Sequence, residues 1–227
     1  MDIQKTKVKT NLDTNFLKLI GIITMTCDHA GKMLLPNILI LQIIGRIAFP
    51  IFAYCIVVGS LFTRNVWKYL GRLVLLAVLF QIVYTFYCLP HWQNTFLVLN
   101  IFFTLAIGLL CIIGIKEKKW WLTAIAAVLA YYLNVDYGFF GVLLIVVFYL
   151  LRDYPIISII VVTVQLLLMG SNFSYPFFWS LQSYAVLSLP FIYIRTNSNL
   201  KINKYVFYAY YPLHFLVLYL IEFLIKK

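Results

Sequence analysis

The chain has 227 residues, 64% of them hydrophobic and only 11% charged, with a mean hydropathy of +0.96. A soluble domain of this size needs far more polar surface, so lipid or other apolar helices must cover nearly all of it. The formal net charge of +11 therefore reads as the topology signal of a multi-pass membrane protein, with no nucleic-acid partner expected.

Crossing about 30 Å of hydrocarbon takes roughly 20 helical residues. Apolar runs fall at Phe16–Leu35, Ile40–Phe62, Tyr69–Leu89, Phe96–Ile115, Trp120–Leu133, Gly138–Leu151, Ile156–Met169, Phe177–Ile194 and Tyr205–Ile225. The expected fold is an all-α transmembrane bundle of about nine helices, eight or ten being the alternatives, forming one domain over residues 1–227. The fifth to seventh runs are short. Cys27, Cys55, Cys88 and Cys111 all lie in apolar stretches without metal-ligand spacing. They read as buried spectator thiols, and no metal is expected.

The first run follows "KTKVKT" but has no small-residue cleavage site and runs into Lys32, so it reads as a retained helix. Within it Gly21, Thr24, Asp28 and Gly31 recur at helical spacing, a stripe suited to close packing. A carboxylate near mid-bilayer costs about 2.5–3.5 kcal/mol on insertion scales, so Asp28 should face the bundle interior. Asp28 and His29 are adjacent, and their side chains diverge by about 100° on a straight helix. They cannot form a simple dyad. Unless Gly31 unwinds the turn, His29 must find its orienting partner on another helix; the alternative is that Asp28 pairs with Lys32 and His29 bonds a backbone carbonyl.

The second run carries "LQIIGRIAFPIF". Arg46 cannot shed its proton and must be paired or hydrated. Pro50 has no N–H for the carbonyl of Arg46, which leaves that oxygen free. At the entry to the third run Arg64, Lys68 and Arg72 recur every four residues and should share one helical face. That face anchors to anionic headgroups or holds a polyphosphate ligand. Further along lie Gln81, Asn100, the loop residues Asp136 and Tyr137, and Gln182. In the last run, "YYPLHF", Pro212 frees the carbonyl of Tyr208 just before His214.

Basic residues sort by loop. Lys5, Lys7 and Lys9 precede the first run, and Arg64 and Lys68 follow the second. Lys116, Lys118 and Lys119 follow the fourth, Arg152 the sixth, and Arg195, Lys201 and Lys204 the eighth. By the positive-inside rule the N-terminus is cytoplasmic. Lys226 and Lys227 break the rule, so either they are tolerated or one weak segment does not span. With this orientation Asp28, His29, Arg46, Gln81, Asn100 and Gln182 fall in the outer half, and one polar site is expected there.

The segments "LKLIGIITMTCDHAG", "IIGRIAFPIFAYCIVVG", "TRNVWKYLGRL", "LNIFFTLAIGLL", "DYGFFGVLL" and "KYVFYAYYPLHFLVLYLI" together resemble the TraX family. This is a family of bacterial membrane acyltransferases named for the enzyme that acetylates the N-terminus of F-type pilin. The resemblance implies a transferase in the bacterial cytoplasmic membrane that takes an acetyl or other acyl group from acyl-CoA. It marks Asp28, His29, Arg46 and His214 as the residues of interest.

Acyl transfer to an amine or hydroxyl needs a base for the acceptor's proton and donors for the developing oxyanion. His29 is the first candidate for the base, with Asp28 orienting a histidine or holding Arg46, and His214 as second base or partner. Arg46 or Asn100 would face the thioester oxygen, and Arg64, Lys68 and Arg72 would hold the CoA phosphates. Gln81, Asp136, Tyr137 and Gln182 are the candidate contacts to the acceptor, a membrane-associated peptide, lipoprotein or glycan. A proton-coupled transporter would also gather Asp, His and Arg in mid-membrane, although it usually carries an internal repeat and none is seen. A non-enzymatic scaffold would explain the hydrophobicity but not the polar cluster.

Overall fold

The computed structural model describes residues 8–91, 98–170 and 180–225, with the side chains of 86–91, 170 and 204 left aside. Lys5, Lys7, Trp92, Asn172, Lys226 and Lys227 lie outside the described residues, as do the side chains of Cys88 and Lys204. Every regular element among the described residues is helical: α1 (Thr14–Met33), α2 (Leu39–Gly45), α3 (Ala48–Phe62), α4 (Val66–His91), α5 (Ile101–Lys116), α6 (Trp120–Tyr132), α7 (Gly138–Leu150), α8 (Pro155–Gly170), a 3₁₀ helix (Leu181–Ser188), α9 (Leu189–Tyr193) and α10 (Lys204–Ile225). The stretches Leu39–Phe62, Val66–Thr85 and Tyr205–Ile225 are each long and apolar enough to cross a membrane. Large apolar side chains such as Leu75, Leu79 and Ile82 of α4 and Leu213 and Leu220 of α10 point outward, as a lipid-facing surface requires.

Two expected helices are not continuous. The run at Ile40–Phe62 breaks at Arg46–Ile47, where the amides of Arg46 and Ile47 reach back three residues to the carbonyls of Ile43 and Ile44 (3.1 and 3.2 Å). The helix tightens and restarts at Ala48, which places Pro50 in a first turn where its missing N–H is not needed. The run at Phe177–Ile194 is also divided. Its described part is the 3₁₀ helix capped by Ser180, then the short α9 with Pro190 in its first turn.

The chain divides into two compact units: Met1–Cys55 with Leu151–Lys227, and Ile56–Leu150. In the first unit α1 packs against α2 and α10, while the 3₁₀ helix packs on α2, α8 and α9. The segment ahead of α1 is clamped at its base. Asn11 is fully buried and donates to the Phe191 carbonyl (2.9 Å) and to Thr196 (3.0 Å), and its amide reaches the Ile192 carbonyl. Asp13 caps α1 by accepting from the Phe16 amide, and its other oxygen accepts from the amide and hydroxyl of Ser198. Burial raises the Asp13 pKa, but those hydrogen bonds outweigh it and leave the carboxyl below its ordinary value.

In the second unit α5 is the central helix, with α4, α6 and α7 packed around it and buried residues on every face. Gly108 is where Ile145 of α7 comes closest, and a methyl group there would overlap it. At one end of this unit Trp67 donates to Glu117 (2.9 Å), Glu117 pairs with Lys119 (2.7 Å), and Lys116 reaches the Ser60 carbonyl (3.3 Å). At the other end Leu99 and Val135 form an isolated parallel bridge, and the Thr104 hydroxyl donates to the Asp136 carbonyl.

Candidate functional site

Asp28 is the centre of the polar cluster in the first unit. Its carboxylate accepts from Lys32, four residues on, and from Arg46, each at 2.5 Å. Gly45 makes the second contact possible, because a Cβ there would collide with Asp28. The close α1–α2 approach therefore needs the glycine. Arg46 follows in the break between α2 and α3, where its side chain turns back onto α1. Its Nε donates to the Gln42 carbonyl and its Nη1 to Oε1 of Gln182, both at 3.3 Å. The side chains of Asp28 and Arg46 keep only 12% and 14% of their accessible surface, against 46% for Lys32. Lys32 can reach water, whereas Arg46 depends on its partners.

His29 leaves α1 on a different face from Asp28 and meets α10. Its Nδ1 lies 2.9 Å from Nε2 of His214, with the two ring planes 10° from parallel. The Nδ1 of His214 lies 2.9 Å from the Tyr210 carbonyl, four residues back along α10. A carbonyl can only accept, so that nitrogen carries the proton and Nε2 of neutral His214 is bare. His29 must then donate from Nδ1, which leaves its Nε2 with a free lone pair. Tyr210 stacks on His214, and Phe215 presents its edge to His29. The Thr26 hydroxyl donates to the Ile22 carbonyl and so accepts from the Tyr210 hydroxyl at 2.8 Å, tying α10 to α1 beside the histidines.

The other predicted residues lie in the second unit. Asn100 caps α5 by accepting from the Phe102 amide, and its side-chain NH₂ bonds both the Ala77 carbonyl (2.8 Å) and Oε1 of Gln81 (2.9 Å). Gln81 also donates to the Val98 carbonyl at 3.0 Å. It lines an open cavity of about 400 Å³ with Val78, Ile82, Thr85 and Phe103. Asp136 and Tyr137 form the turn before α7, with Tyr137 in the left-handed region at φ 61°. Arg64, Lys68 and Arg72 do not share a helical face as expected. The Asn65 side chain accepts from the Lys68 amide and starts α4 at Val66, so Arg64 stays in the preceding loop. All three are exposed, and Arg72 lies over the Tyr69 ring at 5.9 Å.

The sequence leads one to expect a single site holding Asp28, His29, Arg46, Gln81, Asn100 and Gln182 with His214. In the first unit Asp28, Arg46 and Gln182 form one network and His29 and His214 a second, while Gln81 and Asn100 bond each other in the second unit. The sequence reading missed Tyr210 and Thr26. The four-residue spacing from Tyr210 to His214 was a readable signal, since a histidine on a helix can turn back to that carbonyl. The pairing of Thr26 with Tyr210 had none. Cys55 and Cys111 are buried, Cys27 is half-buried, and all three are free thiols. No group of three or more metal-ligating side chains occurs among the described residues.

Among curated proteins, an uncharacterized protein of Rickettsia prowazekii, RP591, is 36% identical over 94 residues, which cover 41% of this chain and 35% of that protein. A probable fimbrial assembly protein of Dichelobacter nodosus, FimC of serogroup H1, is 31% identical over 112 residues, covering 42% of this chain and 43% of that protein. The chain thus matches less than half the length of these relatives. No solved structure matches it. The family model described as TraX protein matches residues 13–222, nearly the whole chain, so the chain belongs to the TraX family.

Proposed function

We propose that this protein is a membrane acyltransferase that moves an acetyl or other acyl group from acyl-CoA to an amine or hydroxyl acceptor. The observation that carries the reading is the chain from the Tyr210 carbonyl through His214 to His29, which leaves Nε2 of His29 as a steered, neutral base. His29 takes the proton from the acceptor as the acceptor's lone pair attacks the thioester carbonyl carbon. The new C–N or C–O bond forms, the C–S bond breaks, and the proton passes to the departing thiolate. Asp28 holds Arg46 as an electrostatic partner for the oxyanion. Both N–H bonds of the Asn100 amide are already engaged, so Asn100 falls out of the oxyanion role in this reading.

The CoA phosphates suit exposed cations, and Arg64, Lys68 and Arg72 are joined at one end of the second unit by Lys116, Lys118 and Lys119. The reading sets the protein in the bacterial cytoplasmic membrane, with this basic end and the N-terminus cytoplasmic. Membership of the TraX family and the fimbrial-assembly name of one relative favour a polypeptide N-terminus as acceptor, ahead of lipoproteins and glycans. The test is transfer of label from acetyl-CoA by the full chain in nanodiscs to a peptide with a free N-terminus. The same peptide with a blocked N-terminus should stay unlabelled. No transfer to peptide, lipoprotein or sugar, together with no thermal shift on adding acyl-CoA, would overturn the reading in favour of a proton-coupled transporter.

A further inference from the structure

Gln182 has one end engaged and one buried end without a partner among the described residues. Its Oε1 accepts from Nη1 of Arg46 at 3.3 Å, while its buried Nε2 has no hydrogen-bond partner among the described residues. The orientation of the amide follows from chemistry, because a guanidinium only donates and the atom facing it must be the oxygen. A buried NH₂ without a partner carries the full penalty of its lost hydration, so a site that keeps one has a use for it. Arg46 points the same way. Of the five N–H bonds of a guanidinium, one each from Nε, Nη1 and Nη2 serves Gln42, Gln182 and Asp28. Donor capacity remains on both Nη atoms.

The 3₁₀ helix that carries Gln182 packs on α2, which ends immediately before Arg46. The amide thus sits on a packed element, and the guanidinium at the C-terminal end of the helix it packs on. The unpartnered end of the amide and the remaining N–H bonds of the guanidinium are all donors. The formal charges of Asp28, Lys32 and Arg46 sum to one positive charge. We infer that the Gln182 amide and Arg46 form a donor-only receptor for an acceptor-only oxygen that gains negative charge, the carbonyl oxygen of the acyl group in transfer. This rests on the acyltransferase reading and adds to it a catalytic residue, Gln182, whose amide touches the reacting oxygen. When the acceptor's lone pair forms its bond to carbon, the carbonyl π electrons move onto this oxygen. They return as the C–S bond breaks and the thiolate takes the proton from His29. Arg46 supplies charge to the oxygen, and Gln182 supplies a directed hydrogen bond that an apolar side chain of similar length cannot.

The experiment compares wild type with Gln182→Met, which keeps the length, and Gln182→Asn, which keeps the amide, as full chains in nanodiscs. Gln182→Met should lower kcat by roughly 10²–10³-fold, the usual loss for one oxyanion donor, with KM for acyl-CoA changed less than about threefold. Gln182→Asn should recover part of kcat. A second readout does not depend on turnover: acetate, a small acceptor-only anion, should raise the melting temperature of wild type more than that of Gln182→Met. Full turnover in a folded Gln182→Met protein would overturn the inference while leaving the acyltransferase reading intact. A wild type without turnover, but with an acetate shift that needs Gln182, would overturn the acyltransferase reading and keep the receptor. An acetate shift equal in both proteins would refute the receptor.

Discussion

Replacing Asp28 with Asn keeps the shape of the side chain and removes its charge, and the two cations around it should respond unequally. Arg46 is only 14% accessible and cannot lose its proton, so without Asp28 it is a nearly buried positive charge. Lys32, 46% accessible, can swing toward water. Breaking a buried pair by removing one partner costs about 3–5 kcal/mol. In a bilayer the unfolded chain also finds partners, which favours the low end. Asp28→Asn should therefore lower stability by about 3 kcal/mol, and Lys32→Ala by under about 1 kcal/mol. Asp28→Asn combined with Arg46→Met removes the stranded charge along with its partner, so the double variant should lose about 2 kcal/mol less than the sum of the singles. The assay is reversible unfolding in mixed micelles titrated with a denaturing detergent, followed by tryptophan emission. Additive losses, or a Lys32 effect as large as that of Asp28, would show that Asp28 does not hold Arg46 as described.

The histidine pair predicts unequal kinetic effects. His29→Ala should lower turnover by roughly 10²–10⁴-fold, whereas His214→Phe, which keeps a ring but loses the acceptor nitrogen, should cost about tenfold; the reverse order would make His214 the base. Glu117 is held below its ordinary carboxylate value by its hydrogen bonds from Lys119 and Trp67. A lowered folded pKa means that this clasp contributes fully above the ordinary value of 4.5 and is lost as pH falls through the folded value. Trp67 emission should therefore change in acid below that value in wild type, and stay flat in Glu117→Gln. Asp13 follows the same sign, its lowered pKa making the cap on α1 and the bond to Ser198 strongest above the ordinary value of 3.8 and weaker in acid. Asp13→Ala should cost about 1–2 kcal/mol near neutral pH in the same detergent titration. For orientation, cysteines placed at Lys118 or Asn199 should resist an impermeant thiol reagent in intact cells, and cysteines at Asn37 or Asp136 should react.

The sequence alone determined that the chain is all-helical and lives in a membrane, because 64% hydrophobic residues with 11% charge leave no other solvent for its surface. It also singled out Asp28, His29, Arg46 and His214, since ionisable groups in apolar runs are too costly to be incidental. Adjacency on a helix was enough by itself to exclude an Asp28–His29 dyad. Partner choice was another matter. Whether Asp28 takes Lys32 or Arg46 depended on how closely two helices approach, and the space left by Gly45 allows both contacts at once. The break at Arg46 could not be read from hydropathy, since the whole stretch Leu39–Phe62 is apolar enough to read as one span. It arises where tightened turn bonds and Pro50 coincide. The expected common face of Arg64, Lys68 and Arg72 failed for a local reason, the Asn65 cap that starts α4 after Arg64. Which nitrogen of His29 is free was decided by contacts 185 residues apart along the chain. Periodicity in one sequence records which way a side chain faces; only packing records what it meets there.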